Sequence, residues 1–148
     1  MTIFIREGTA ARNLEALLPI VTPENAHQVC FCTDDRHPSD MKRDGHIDNI
    51  IRRAIAMGLD PETAIAMGSL HTARHFGLRD HGALAPGMRA DMVELHDLHA
   101  MEIGRVWAGG SDKHRIEGTT VSWSCAYAAM HLPDDFRVHS LIFREAGG

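Results

Sequence analysis

The stretch of sequence that decides the fold is Cys30-Phe31-Cys32-Thr33-Asp34-Asp35-Arg36-His37. It joins an apolar run to two adjacent carboxylates, an arginine and a histidine, and Pro38 then ends it. This pattern is typical of a buried parallel strand that delivers acidic groups at its carboxyl end. A carboxylate held there can bind a metal or carry a proton. The alternative is ordinary structure, because an Asp-Asp pair after a strand also forms turns and caps helices.

The first half of the chain alternates between strand and helix patterns. The order strand, helix, strand predicts a parallel crossover. Thr9 and Asp60 are the expected helix N-caps, and Gly58 is an expected helix stop. The predicted elements are, in chain order, a strand at 3–5, a helix at 9–18, a strand at 28–33, and helices at 38–57 and 60–77.

From about residue 82 the chain changes to short β-segments separated by turns. A Pro-Gly turn at 86–87 precedes a strand that runs to about residue 95. Further segments are predicted at 103–107, 119–125, 131–138 and 141–143. We therefore expect two parts, residues 1–81 and 82–148.

Composition excludes several classes of protein. The chain has 148 residues and a dispersed net charge of -5, with one tyrosine and two tryptophans, so we expect no nucleic-acid partner. Its three cysteines include no CxxC pair, and no apolar run is long enough for a signal peptide or a membrane span. A reducing cytoplasm is the expected location.

The eleven histidines are scattered along the sequence. His71 and His75 are spaced to share one helix face, and His96 and His99 are also close. No H-E-x-x-H pattern occurs at the first pair, so exposed helix histidines are the alternative to a metal site.

Two groups of motifs together resemble a known family. The strand motif is followed by Gly45-His46-Ile47-Asp48, and later by Ala73-Arg74-His75-Phe76-Gly77-Leu78, Gly82-Ala83-Leu84-Ala85-Pro86-Gly87 and Ala90-Asp91. In this order and spacing the chain resembles the C-terminal part of the bacterial adenine deaminases, which are metal-dependent amidohydrolases.

The resemblance implies an α/β fold. Residues 1–81 would form the last two strand-helix units of an amidohydrolase (β/α)8 barrel, and residues 82–148 the C-terminal part of a small β-sandwich. It also implies a reaction, the hydrolysis of adenine to hypoxanthine and ammonia. A related aminopurine is the alternative substrate. The water would be activated by a divalent metal, for which manganese, iron and zinc are the candidates.

The resemblance also implies roles for individual residues. Asp34 matches the family's last-strand aspartate and is expected to bind the metal and to carry the proton to the departing amine. Asp35 and Arg36 are expected to order the loop around the site, with a surface ion pair as the alternative. Glu7, at the end of the preceding strand, could face the same pocket.

The chain also departs from the family pattern, because it contains no His-x-His pair. One aspartate cannot hold a catalytic metal, which takes about three protein ligands. We therefore expect a fragment that is inactive alone and works with the missing N-terminal part. The alternative is a non-catalytic remnant whose unpaired strands drive homo-oligomer formation.

Overall fold

The computed structural model describes residues 1–113 as a mixed α/β structure. The predicted segments at 119–125, 131–138 and 141–143 lie outside the described residues. No helix within residues 1–113 is long and apolar enough to cross a lipid bilayer.

The first two strands form a parallel pair, as the sequence predicts. Strand β1 (Ile3–Arg6) lies beside β2 (Val29–Cys32), with Ile3 opposite Val29 and Arg6 opposite Cys32. Both strands therefore end at the same edge. We call the residues that follow them, 6–10 and 33–37, the carboxyl edge.

The connection between these strands differs from the predicted helix at 9–18. Helix α1 (Leu14–Leu17) is a single turn that begins after Asn13, and two 3-10 turns follow it, Leu18–Ile20 and Ala26–Gln28. The prediction that Thr9 caps this helix is wrong. The Thr9 hydroxyl instead accepts a hydrogen bond from the backbone N–H of His37 and donates one to Asp40.

The prediction of a single helix at 38–57 is also wrong, because the chain forms two helices there. Helix α2 (Pro38–Asp44) ends at Gly45, whose φ of 99° is in the left-handed region, and α3 (Ile47–Ala56) begins after His46. A side chain at residue 45 would also crowd the Asp48 carboxylate, since its Cβ would lie 2.6 Å from Oδ2.

The next predicted helix is likewise divided, into α4 (Pro61–Gly68) and α5 (Leu70–His75), with Ser69 between them. Its predicted start is confirmed, because the Asp60 side chain accepts a hydrogen bond from the backbone N–H of Thr63. The predicted stop at Gly58 is also confirmed, since α3 ends just before it and Gly58 has a φ of 98°.

Three antiparallel strands follow, β3 (Met92–Asp97), β4 (Glu102–Ala108) and β5 (Ser111–Lys113). The buried residues of β3 and β4 join the same apolar cluster as those of β1, β2, α3 and α4. This cluster covers one face of the parallel pair, the face that carries Ile5, Val29 and Phe31. The fold of residues 1–113 is thus α/β around one continuous core, and the expected boundary at residue 81 stays a prediction.

Candidate functional site

Asp34 stands at the carboxyl edge, where the sequence predicts it. Its backbone φ is 51°, in the left-handed region, which non-glycine residues seldom adopt. Its side chain is 43% exposed, and its Oδ2 lies 3.0 Å from Nη1 of Arg6, whose side chain is 49% exposed. An ion pair this exposed is weak, so the Asp34 carboxylate can leave Arg6 and bind another group at little cost in free energy.

Asp35 turns away from Asp34 and toward the loop that follows β1. Its Oδ2 accepts a hydrogen bond of 3.1 Å from the backbone N–H of Ala10, which lowers the pKa of the Asp35 carboxyl. The carboxylate also lies directly over Gly8, where any Cβ would overlap its Oδ1. Asp35 therefore ties the two loops of the carboxyl edge together.

Arg36 has only 7% of its side chain exposed. Its Nη1 donates to the carbonyl oxygen of Glu7 at 3.2 Å, and its Nη2 donates to Asp44 at 3.3 Å. The guanidinium thus joins β1's end to the last turn of α2. The contacts of Arg36 are thus with Glu7 and Asp44, and its expected loop-ordering role stays a prediction.

Glu7 is buried, at 2% exposure, on the face of the sheet that packs against the helices. One carboxylate oxygen accepts a hydrogen bond from the backbone N–H of Leu14 at 3.0 Å, and the other pairs with Arg53. The Glu7 carboxylate and the Asp34 carboxylate therefore point to opposite sides. Glu7 thus accepts a hydrogen bond from the first residue of α1 and pairs with Arg53 of α3.

Sequence reasoning missed several residues that shape this edge. Arg6 pairs with Asp34, and the Thr9 hydroxyl holds the His37 backbone at 2.8 Å. Thr33 shares a buried hydrogen bond of 2.8 Å with Nε2 of His46. The parallel register could have indicated Arg6, since it places the last residues of β1 beside those of β2. No local pattern indicates the other two contacts.

Comparison with known proteins identifies the family. Residues 5–121 match the model of the Amidohydrolase family. The chain belongs to the amidohydrolase family.

Its relatives within this family are adenine deaminases. The chain is 53% identical to the adenine deaminase of Desulfatibacillum aliphaticivorans over 110 residues, which are 74% of this chain and 19% of that protein. It is 45% identical to the adenine deaminase of Oceanobacillus iheyensis over 136 residues, or 90% of this chain and 23% of that protein. The chain thus spans about a fifth of the length of these relatives, and it is an adenine deaminase-like amidohydrolase in sequence.

The resemblance implies a metal site, and the described side chains do not form one. No three His, Cys, Asp or Glu side chains of residues 1–113 converge closely enough to hold a metal ion. Asp34 could supply one ligand of the three or so that a catalytic site takes. Residues 1–113 therefore do not by themselves fit the metal site of an amidohydrolase.

The histidine pair on α5 does not converge on a common point. The His75 ring lies edge-on against Phe4 and within 3.1 Å of the Thr2 hydroxyl. His71 is half-buried, and burial lowers the pKa of its imidazole. The His75 ring thus contacts the start of the chain, whereas Nδ1 of His71 is buried with no hydrogen-bond partner among the described residues. These surroundings favour the interpretation of ordinary helix histidines.

Proposed function

We propose that this chain is the portion of an adenine deaminase-like hydrolase that supplies the reacting aspartate, Asp34. The complete enzyme would hydrolyse adenine, or a related aminopurine, to the oxo-purine and ammonia. Support comes from the named relatives and from the match to the Amidohydrolase family.

The observation that carries this proposal is the state of the Asp34 side chain. It sits at the carboxyl edge of a parallel pair, on a left-handed backbone, and its one ionic partner is half-exposed. Strained backbone of this kind clusters at functional sites.

A carboxylate in this position can perform the proton transfers that deamination needs. It would accept a proton from the attacking water and return it to the amine of the substrate. The amine then departs as ammonia, which is a far better leaving group than the amide ion. Asp35 and Arg36 would hold the loop that presents Asp34.

The metal ligands beyond Asp34 would come from outside the described residues, either from a further segment of the protein or from another subunit. Manganese, iron and zinc remain the candidates, since one carboxylate suits several divalent ions. The cytoplasmic location and the absence of nucleic-acid and membrane partners also stay predictions.

A second candidate function is a non-catalytic, oligomerising remnant of the family. In the described part of the chain the parallel sheet has two strands, so each strand has an outer edge that pairs with no other described strand. Such edges bind further strands, and self-association of this chain would cover them.

The first experiment measures conversion of adenine to hypoxanthine by ultraviolet absorbance, with manganese, iron or zinc added in turn. We expect no turnover by the isolated chain. We expect turnover by an assembled enzyme in which this chain replaces the matching segment of the Desulfatibacillum aliphaticivorans adenine deaminase.

In that assembled enzyme, Asp34→Asn is expected to lower kcat by at least roughly 100-fold, the scale of a lost general acid-base group. Asp60→Asn is the matched control, because asparagine is as good an N-cap as aspartate, so turnover should persist. An assembled enzyme that turns over equally well with Asp34→Asn would contradict the proposal. A discrete oligomer that never gains activity in assembly would favour the remnant.

A further inference from the structure

The sequence motif Gly45-His46-Ile47-Asp48 takes no direct part in the proposed proton transfers. In the structure it forms the break between α2 and α3, and it lies under the carboxyl edge. The His46 ring is buried, at 7% exposure for the residue, and its Nε2 lies 2.8 Å from the hydroxyl of Thr33. Thr33 immediately precedes Asp34, so this contact touches the proposed reacting residue through one peptide unit.

The direction of these side chains follows from the alternation of a strand. Val29 and Phe31 face the helix layer and the core, and Thr33, two residues further on, reaches the start of α3 on the same side. Asp34 points the other way, toward Arg6. The Thr33–His46 bond therefore fixes the strand end from behind, and leaves the front of the edge to the Asp34 carboxylate.

His46 is itself held firmly. Its backbone N–H donates to Oδ1 of Asp48 at 2.7 Å, and Oδ2 of Asp48 lies 3.2 Å from Nη2 of Arg52. Gly45 leaves room for that carboxylate, since a side chain there would collide with it. Each residue of the motif except Ile47, which packs in the core, thus serves the placement of one imidazole ring.

We propose that His46 is a positioning residue that, through Thr33, holds Asp34 in the left-handed conformation from which it reacts. The proposal rests on the reacting role of Asp34 proposed above. A hydrogen bond buried from solvent resists rotation of the strand end, because breaking it separates two buried polar groups at a cost in free energy. The bond therefore stabilises a left-handed conformation, which is uncommon among non-glycine residues, although aspartate adopts it more often than most of them.

The structural part of the proposal can be measured on the 148-residue chain by nuclear magnetic resonance. Thr33→Val removes the hydroxyl and keeps the shape, and the Asp34 Cα and Cβ chemical shifts report its backbone conformation. We expect these shifts to move toward ordinary extended values. The matched control is Thr72→Val, which removes another buried hydroxyl, one that donates to the Met67 carbonyl at 2.9 Å. Thr72→Val should leave the Asp34 shifts unchanged.

The functional part uses the assembled enzyme described above. Thr33→Val and His46→Leu are expected to lower kcat by roughly 10- to 100-fold, the range for groups that orient a reacting residue. The KM for adenine should stay within about twofold, since substrate binding is not altered. His46→Gln should recover most of the lost kcat, because its side-chain amide can reach the Thr33 hydroxyl. Thr72→Val should leave kcat near that of the unsubstituted enzyme.

The two readouts separate the two proposals. If Asp34→Asn leaves the assembled enzyme active, the proposed function fails, while the resonance experiment still tests whether His46 holds Asp34. Unmoved Asp34 shifts in Thr33→Val would overturn the positioning role. So would a kcat loss in Thr72→Val as large as that in Thr33→Val, because the effect would then follow from lost stability alone.

Discussion

Two aspartates, one after β2 and one before β3, have opposite surroundings. Asp34, at the carboxyl edge, has 43% of its side chain exposed and one half-exposed ionic partner. Asp91, before β3, is completely buried. Its two oxygens accept hydrogen bonds from Nε of Arg89 at 2.9 Å and from the backbone N–H of Gly109 at 2.6 Å.

The difference lies in what remains free. The Asp91 carboxylate joins the turn before β3 to the end of β4, so its hydrogen-bonding capacity serves the fold. The Asp34 carboxylate makes one exposed ion pair, with Arg6. Its neighbours Asp35 and Arg36 make the contacts that hold the loops of the carboxyl edge together.

The largest expected effect is on stability at Asp91. Asp91→Asn leaves the Arg89 guanidinium without its buried counter-charge, and should lower the free energy of unfolding by about 3 kcal/mol. Asp34→Asn, the matched change, should cost less than about 1 kcal/mol, since its ion pair is exposed. Urea denaturation of the two variants measures both values. Equal losses would contradict the division of roles between the two aspartates.

A smaller effect is expected where Gly8 packs against Asp35. Gly8→Ala inserts a methyl group into the space of the Asp35 carboxylate, which can move, so we expect a loss of about 1 kcal/mol. In the background of Asp35→Ala the same change should cost clearly less. Denaturation of the two single variants and the double variant gives the coupling. Strict additivity would show that the two loops are not packed together as described.

The smallest expected effect is on the pH dependence of stability. Hydrogen bonding from Ala10 lowers the pKa of Asp35, and the hydrogen bond from His81 lowers that of Asp80, from an ordinary value of 3.8. A lowered carboxyl pKa stabilises the fold above the ordinary value, and this stabilisation is lost as pH falls through the lowered value.

Asp35→Asn keeps an acceptor for Ala10 and removes the titration. Denaturation between about pH 5 and about pH 3 should therefore show a shallower acid loss for Asp35→Asn than for the unsubstituted chain. Asp80→Asn provides the same test on the Asp91 side of the molecule. An acid limb that neither change alters would contradict the assigned causes.

The sequence predicts the parallel pair correctly because its signal is local. An apolar run on both faces followed by acids indicates a buried strand, and the spacing of the strands indicates a crossover. The Asp60 cap is equally local, since its partner is three residues away. Such features need no knowledge of distant contacts.

The helix breaks were missed for a physical reason. The apolar spacing from Ile47 to Ala54 is also compatible with a helix that begins before Gly45, so the pattern gives no sign that a helix ends at Gly45. The break combines a local cap, in which the Asp48 carboxylate accepts a hydrogen bond from the backbone N–H of His46, with a side-chain contact between His46 and Thr33, 13 residues away. The prediction failed where side-chain contacts outweigh the local pattern.

The candidate site divides along the same line. The position of Asp34 follows from the strand end, whereas its partner Arg6 is 28 residues away. The partner of Glu7, Arg53, is 46 residues away. Composition and spacing could not choose between a pocket-facing and a buried Glu7, because only the packing of α3 against the sheet decides it.

The contacts between the two loops of the carboxyl edge also fix their lengths. Surface loops commonly accept inserted residues, and the turn at 22–25 is closed by hydrogen bonds among its own residues. The loops after β1 and β2 are different, since Thr9 and Ala10 bond directly to His37 and Asp35. An extra residue in either loop would separate these hydrogen-bonded pairs. Homologous sequences that share this edge should therefore vary in residue type there more readily than in residue number.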